Sequence, residues 1–261
     1  MGTSILAIMT LWWREITRFR RQRSRLFGAL GQPLVFWLLL GGGLRASFHP
    51  PGAPTGVEYM EYFYPGIMAL VILFTAIFAT ISVVEDRREG FLQGVLVAPV
   101  SRPSIVVGQA LGGTTLALGQ AVLLLLLAPL AGISLSIASV AAVLVVLFCL
   151  AFSLTNLGLI FAWRMQSTQG FHAIMNLILM PIWLLSGAFF PAAGVPVWLA
   201  WIMWINPLTY GMAALRRCLY LTQTTAVGAV PALAPALGIT LLFGAVTLLG
   251  AVYTANRSSS L

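Results

Sequence analysis

The sequence predicts an all-α membrane protein with six transmembrane helices, an N-terminal interfacial amphipathic helix and re-entrant helices before the last span. Three observations carry that reading. Of 261 residues, 60% are hydrophobic and only 8% charged, with a mean hydropathy of +0.98, whereas soluble domains carry roughly 25% charge. The apolar residues gather in blocks close to the ~20 residues needed to cross a hydrocarbon core ~30 Å thick. Most of the arginines flank those blocks.

In the first 25 residues, Ile5, Ile8, Trp12, Ile16 and Phe19 recur at helical spacing, with Arg14, Arg18, Arg21 and Arg25 on the other side. Such a helix lies in the membrane interface with its guanidinium groups among anionic lipid heads; a plain lipid anchor has the same pattern. Residues 26–261 read as one six-span domain. Span one is expected from Leu26 to Leu44, kinked at Gln32-Pro33. A loop from Arg45 to Phe63 is rich in proline and glycine, and Pro65 suits the first turn of span two, Gly66 to Val84. Glu85-Asp86-Arg87-Arg88-Glu89-Gly90 opens the connection 85–103, followed by Phe91, Leu92, Val95, Leu96 and Val97 at amphipathic spacing until Pro99 stops the helix.

Span three is expected from Ser104 to Ala128 after Pro103, and span four from Ser139 to Trp163, closed by Arg164. Span five covers Phe171 to Phe190 with Pro181 inside. Between 191 and 225 the apolar piece Val195 to Ile205 has 11 residues, too few to span, and reads as re-entrant or interfacial. The last span is Leu233 to Tyr253, ending at Asn256-Arg257. With the N-terminus in the cytosol, 11 arginines fall inside and three (Arg45, Arg216, Arg217) outside, the usual positive-inside bias. Both termini and the 85–103 connection are then cytosolic.

All 14 cations are arginine. Without lysine the chain holds no P-loop and no Schiff-base lysine, so it carries no conventional ATPase site and no such covalent catalysis. The net charge of +8 would suit nucleic acid, but arginines set at span ends point to membrane lipids. Cys149 and Cys218 read as packing residues, and His49 and His172 have no second ligand at helical spacing, so neither a metal site nor catalytic residues are expected. No charge sits well inside a predicted span, which weighs against a proton-coupled exporter. Among the span amides and hydroxyls, Gln109, Gln120, Thr155, Asn156 and Asn176 serve either as interhelical glue or as a polar path; Gln120, Asn156 and Asn176 are the candidates for a substrate path. Tyr59, Tyr62, Phe63, Tyr64, Trp198, Trp201 and Trp204 form an aromatic belt or, alternatively, stack on sugars.

The mixed-charge 85–103 connection suits docking into a cytosolic partner, although a solvated turn has the same composition. At this point the sequence resembles the permease family of type-2 ABC exporters, which includes drug-resistance and nodulation-type lipo-oligosaccharide permeases. The resemblance rests on Trp12-Trp13-Arg14-Glu15 to Arg25 before Gln32-Pro33, and on Glu85 to Gly90 with Pro99-Val100-Ser101-Arg102. It rests further on Ser186-Gly187, Phe190-Pro191, Trp198-Leu199 and Asn206-Pro207-Leu208-Thr209-Tyr210 with Arg216. Phe91-Leu92-Gln93 replaces the family's usual Thr-acid after Arg-Glu-Gly, and Gly211-Met212-Ala213 stands where an acid is frequent. Arg216 therefore has no evident acidic partner, and Arg216 and Arg217 could equally anchor lipid heads.

The resemblance implies a permease in the bacterial inner membrane that pairs with a copy of itself and with separate ABC ATPase subunits, which bind the ATP and Mg. It places coupling on Glu85, Asp86, Arg87, Arg88, Glu89 and Gly90, with Arg14, Arg18 and Arg21 in support. Pro191, Trp198, Asn206, Pro207, Tyr210 and Arg216 would belong to a re-entrant pair of helices capping the exit. The expected cargo is a hydrophobic drug, a lipid or a lipid-linked glycan. A non-transporting assembly factor or scaffold is the alternative from another class.

Overall fold

The computed structural model describes residues 2–44, 57–221 and 227–257, and these form ten helices with no strand among them. They are α1 (Gly2–Arg21), α2 (Arg23–Gly43), α3 (Tyr59–Arg88), α4 (Phe91–Val97), α5 (Arg102–Leu125), α6 (Ile137–Ala162), α7 (Thr168–Trp183), α8 (Val197–Ile205), α9 (Pro207–Leu219) and α10 (Leu233–Arg257). Five are long and apolar enough to cross a membrane: α3, α5, α6, α7 with its continuation to Ala188, and α10. The expected first span, α2, has its apolar run over Phe27–Gly43 only. It still reaches the far end of the bundle beside the start of α3, where Trp37 Nε1 donates to the Met60 carbonyl at 3.1 Å. The expected loop 45–56, with Arg45 and His49, lies outside the described residues. So do 222–226 and the side chains of Arg23 and Arg25.

α3 is the hub. Of its most apolar stretch 94% is buried, against 28% for α10, so α3 fills the centre while α10 keeps one face outward. At one end the Tyr64 hydroxyl donates to the Leu124 carbonyl, and Trp183 Nε1 donates to the Gly66 carbonyl at 2.8 Å. At the other, arginine-rich end, Arg87 donates to the carbonyls of Trp163 and Met165, closing the end of α6. Arg102 does the same for α10 at the carbonyls of Ala255 and Asn256. In between, the helices meet at small residues. A Cβ on Gly158 would lie 2.6 Å from Thr80 Oγ1, and one on Gly113 would lie 2.6 Å from Thr155 Cγ2. Close backbone approach of this kind is how helices associate where lipid removes the hydrophobic drive.

Two boundaries differ from the sequence reading, each for a definite reason. α3 begins at Tyr59, six residues before Pro65, so that proline sits inside the helix rather than opening it. A proline there removes the N–H that would bond the Glu61 carbonyl. The Tyr220 hydroxyl donates to that carbonyl instead, at 3.3 Å, so the missing bond is replaced from α9. At its other end α3 runs on through Glu85–Arg88 and stops at Gly90, whose φ of 76° is a left-handed turn suited to glycine. The charges assigned to the inter-span connection are thus the last turn of α3, and only Phe91–Val97 forms a separate short helix. Arg87 and Arg88 there also suit the negative end of the helix dipole.

The aromatics at the start of α3 are also placed differently. Tyr59, Tyr62, Phe63 and Tyr64 are buried against Trp37, Trp183 and Phe189, and form core rather than belt or sugar platform. Trp198, Trp201 and Trp204 of α8 are exposed, as a belt requires.

Candidate functional site

Two sites stand out, one at each end of the bundle. At the arginine-rich end α1 is packed on α5 rather than held by lipid alone. Gly108 and Gly112, one turn apart on α5, leave room for it: a Cβ on Gly108 would lie 3.0 Å from the Ile8 carbonyl oxygen and one on Gly112 2.7 Å from Glu15 Cβ. Trp12 Nε1 donates to Thr115 Oγ1 at 3.0 Å. The opposite face of α1 keeps Ile5, Leu6, Met9 and Trp13 exposed, which is the apolar surface an interfacial helix presents.

The polar face of α1 grips the end of α3. Arg14 holds Asp86 with both guanidinium nitrogens at 2.6 Å. Arg18 bridges Asp86 Oδ1 and Glu85 Oε2, each at 2.7 Å. Asp86 is 1% exposed, while the arginine side chains are 27% and 19% exposed, so the acid is sealed and its cations reach water. Forked charge-assisted pairs of this kind fix geometry as well as supply energy. Arg14 also stacks 3.9 Å above the Phe91 ring, tying in the first turn of α4. Glu15, buried beside this network, has its carboxyl pushed up from the ordinary value by loss of solvent, against the opposing pull of the Ser82 hydroxyl and Arg14.

The structure therefore sorts the predicted coupling residues. Arg14, Arg18, Glu85 and Asp86 face inward in one network, and Arg87 is an internal cap. Arg88, Glu89, Gly90 and Arg21 are exposed. A cleft of about 620 Å³ runs along α1 past Trp13, Arg14, Arg18 and Arg21 to Glu89. Its walls offer a cationic, partly apolar surface next to the turn that ends the hub helix.

Of the candidate path amides, two are buried in the bundle and one is exposed. Gln120 is buried and accepts from Thr75 Oγ1 at 2.8 Å, with its Nε2 unpartnered. Asn156 is buried on α6 and donates to Phe152, with its Oδ1 unpartnered. Asn176 is on the exposed side of α7. Gln120 and Asn156 are buried within the bundle, and the chain does not bring Asn176 to them.

At the opposite end, α7 passes into a wide turn, Leu184–Ala188, broken at Gly187 with φ 80°. α8 and α9 are the expected pair of short helices, joined at Asn206. Its amide accepts from Leu208 N at 3.0 Å, capping α9 ahead of Pro207 at N1, and donates to the Ile182 carbonyl at 2.6 Å. Tyr210 folds α9 back on α8 through the Trp204 carbonyl at 2.9 Å. Arg216 is 4% exposed and lies inside the bundle rather than on its surface. Its Nη2 reaches the carbonyls of Tyr62 and Gly187, both at 3.3 Å, and its guanidinium lies 4.0 Å over the Tyr62 ring. With Pro191 it lines a cavity of about 50 Å³. Trp198 points away from this corner and is exposed.

Sequence reasoning missed Tyr220 altogether, and named Tyr62 and Glu15 without their roles: the two tyrosines clamp the α9 region to α3, and Glu15 is buried beside the Asp86 network. Only Pro65 carried a signal, since a proline inside a helix demands an outside donor for the carbonyl four residues back.

Among known proteins, a family model described as ABC-2 type transporter matches residues 6–220. The chain is 29% identical over 216 residues to ycf38 of Cyanophora paradoxa, named a transport permease, covering 81% of this chain and 73% of that protein. It is 24% identical over 225 residues to the daunorubicin resistance ABC transporter permease protein DrrB1 of Streptomyces coeruleorubidus, covering 84% and 77%. To nodulation protein J of Rhizobium leguminosarum bv. viciae it is 26% identical over 212 residues, covering 80% of each.

Proposed function

Since the chain belongs to the ABC-2 type transporter family, whose multi-pass permeases work with an ABC ATPase and are not ATPases themselves, we propose that it is the membrane half of an ATP-driven exporter. It moves a hydrophobic drug, a lipid or a lipid-linked glycan out of the cytoplasm. It pairs with a second copy of itself and with separate ATPase subunits that bind the ATP and Mg, in a bacterial inner membrane with both termini cytosolic. Relatives named for daunorubicin resistance and for nodulation support the amphipathic cargo, and the distribution of arginines supports the orientation.

One observation carries the reading: the exposed turn Arg88-Glu89-Gly90 ends the buried hub helix and is lashed to α1 through Asp86. A push on that turn or on α1 reaches the centre of the bundle through rigid elements. Reversing Arg87 and Arg88 together is too blunt a test, because Arg87 caps α6 internally. The sharper variant is Arg88→Glu with Glu89→Arg, which changes exposed charges only. We expect normal membrane insertion with at least a tenfold loss of ATP-dependent export in vesicles. Unchanged export removes these residues from the coupling surface, and export that persists without ATP but collapses with the proton gradient replaces the reading altogether.

A further inference from the structure

Among the described residues, Arg216 is a buried cation that takes part in no salt bridge. The six acids are Glu15, Glu58, Glu61, Glu85, Asp86 and Glu89. Among the described residues, all salt bridges lie at the arginine-rich end, between Arg14 or Arg18 and Glu15, Glu85 or Asp86. Glu61, beside Tyr62 on α3, lies near Tyr220 and takes part in none of these salt bridges. Arg216, 96% buried by its 4% exposure, therefore meets no carboxylate. A guanidinium has five N–H donors; its two bonds to backbone carbonyls both come from Nη2 at the long distance of 3.3 Å, and the Tyr62 hydroxyl is a further neighbour. The Tyr62 ring covers one face.

The cavity that Arg216 lines has the make-up of a ligand site: an apolar wall with a charged donor turned into it. Met203, Met212 and Ala213 supply the wall; the Ser186 and Thr209 hydroxyls donate to backbone carbonyls, so Arg216 is the donor turned to the cavity, and no acid lines it. Trp204, also in the lining, is itself exposed, which gives an apolar way out. Neutral dipoles compensate a buried charge poorly, so an anion in this cavity gains what the protein does not provide.

We propose that the cavity between α9, the Leu184–Ala188 turn and the start of α3 binds one oxyanion group, phosphate or carboxylate, on Arg216. At about 50 Å³ it admits an anionic head, with any attached apolar chain running out past Trp204. The site needs neither the ATPase nor transport, so its failure would leave the exporter reading intact.

The test uses the full chain in dodecyl maltoside micelles, which carry no phosphate or carboxylate, and reads its thermal unfolding midpoint. Phosphatidylglycerol is added in one arm, and inorganic phosphate at constant ionic strength in the other. A rise of several degrees is expected in the wild type and in Arg164→Gln, which alters an exposed arginine at the other end, but not in Arg216→Gln. A rise with phosphatidylglycerol alone assigns a lipid-like headgroup; a rise with phosphate as well assigns a free oxyanion. No rise in the wild type with either probe overturns the site, whatever the variants do, and so does an equal rise in Arg216→Gln. Should Arg216→Gln fail to fold, Ala213→Leu, which keeps the cation and fills the cavity, must lose the rise; a retained rise overturns the site.

Discussion

The two ends of the bundle use arginine in opposite ways. At one end Arg14 and Arg18 converge on a sealed carboxylate, Asp86, and reach water themselves. At the other end Arg216 is sealed and meets carbonyl oxygens and Tyr62, with no carboxylate in a salt bridge to it. The first is a closed joint, with charge matched by charge, suited to carrying force between α1 and α3. The second is an open one, holding the α8–α9 corner against α3 while leaving charge to spare. Burial of a charge alone therefore says little about its role; what matters is whether its partner is already in the chain.

Asp86→Asn should break the comparison most severely, because it leaves two arginines facing an amide. Removing one partner of a buried ion pair typically costs 3–5 kcal/mol, and the partial exposure of both arginines puts the expected loss near the lower end, about 3 kcal/mol. α1 should then become protease-sensitive in detergent while the spans stay intact. Arg216→Lys should cost less, about 1–2 kcal/mol, since it keeps the charge but gives up the planar guanidinium's stacking on Tyr62. A thermal melt checks this, and a Lys variant as damaging as Asp86→Asn would mean that the two ends are not different in kind.

The smallest effect concerns Glu15. Its folded-state pKa is raised, so between the ordinary carboxyl value and that raised value the folded state holds more protons than the unfolded one. Stability from this group then falls as pH rises through that window. Glu15→Gln keeps the packing on Gly112 without titrating. The stability of wild type relative to Glu15→Gln should therefore be greatest at acid pH and decline towards neutrality; melts of both proteins across pH check the slope.

Much of the fold was legible in the sequence because bilayer thickness forces long apolar blocks, and prolines at 99, 103 and 207 mark real breaks. Pro65 misled because a helix in a bundle tolerates proline when a neighbour, here Tyr220, satisfies the freed carbonyl. The charged run 85–90 reads from the sequence as the start of a cytosolic connection suited to docking. Its composition carries no sign that Asp86 turns inward to α1 while Arg88 stays in water, since that depends on pairing between residues more than sixty apart. The signature from Pro191 to Arg216 was legible as residues, whereas the burial of Arg216 depends on where Gly187 breaks the chain.

The most direct test of the account is co-purification of this chain from its own host in mild detergent, read by mass spectrometry and an ATPase assay. The account predicts a stoichiometric partner carrying a P-loop and hydrolysing ATP, lost with Arg88→Glu/Glu89→Arg and retained with Arg216→Gln. Recovery of the chain alone in several detergents, or a partner that stays bound when the exposed turn is reversed, would contradict it.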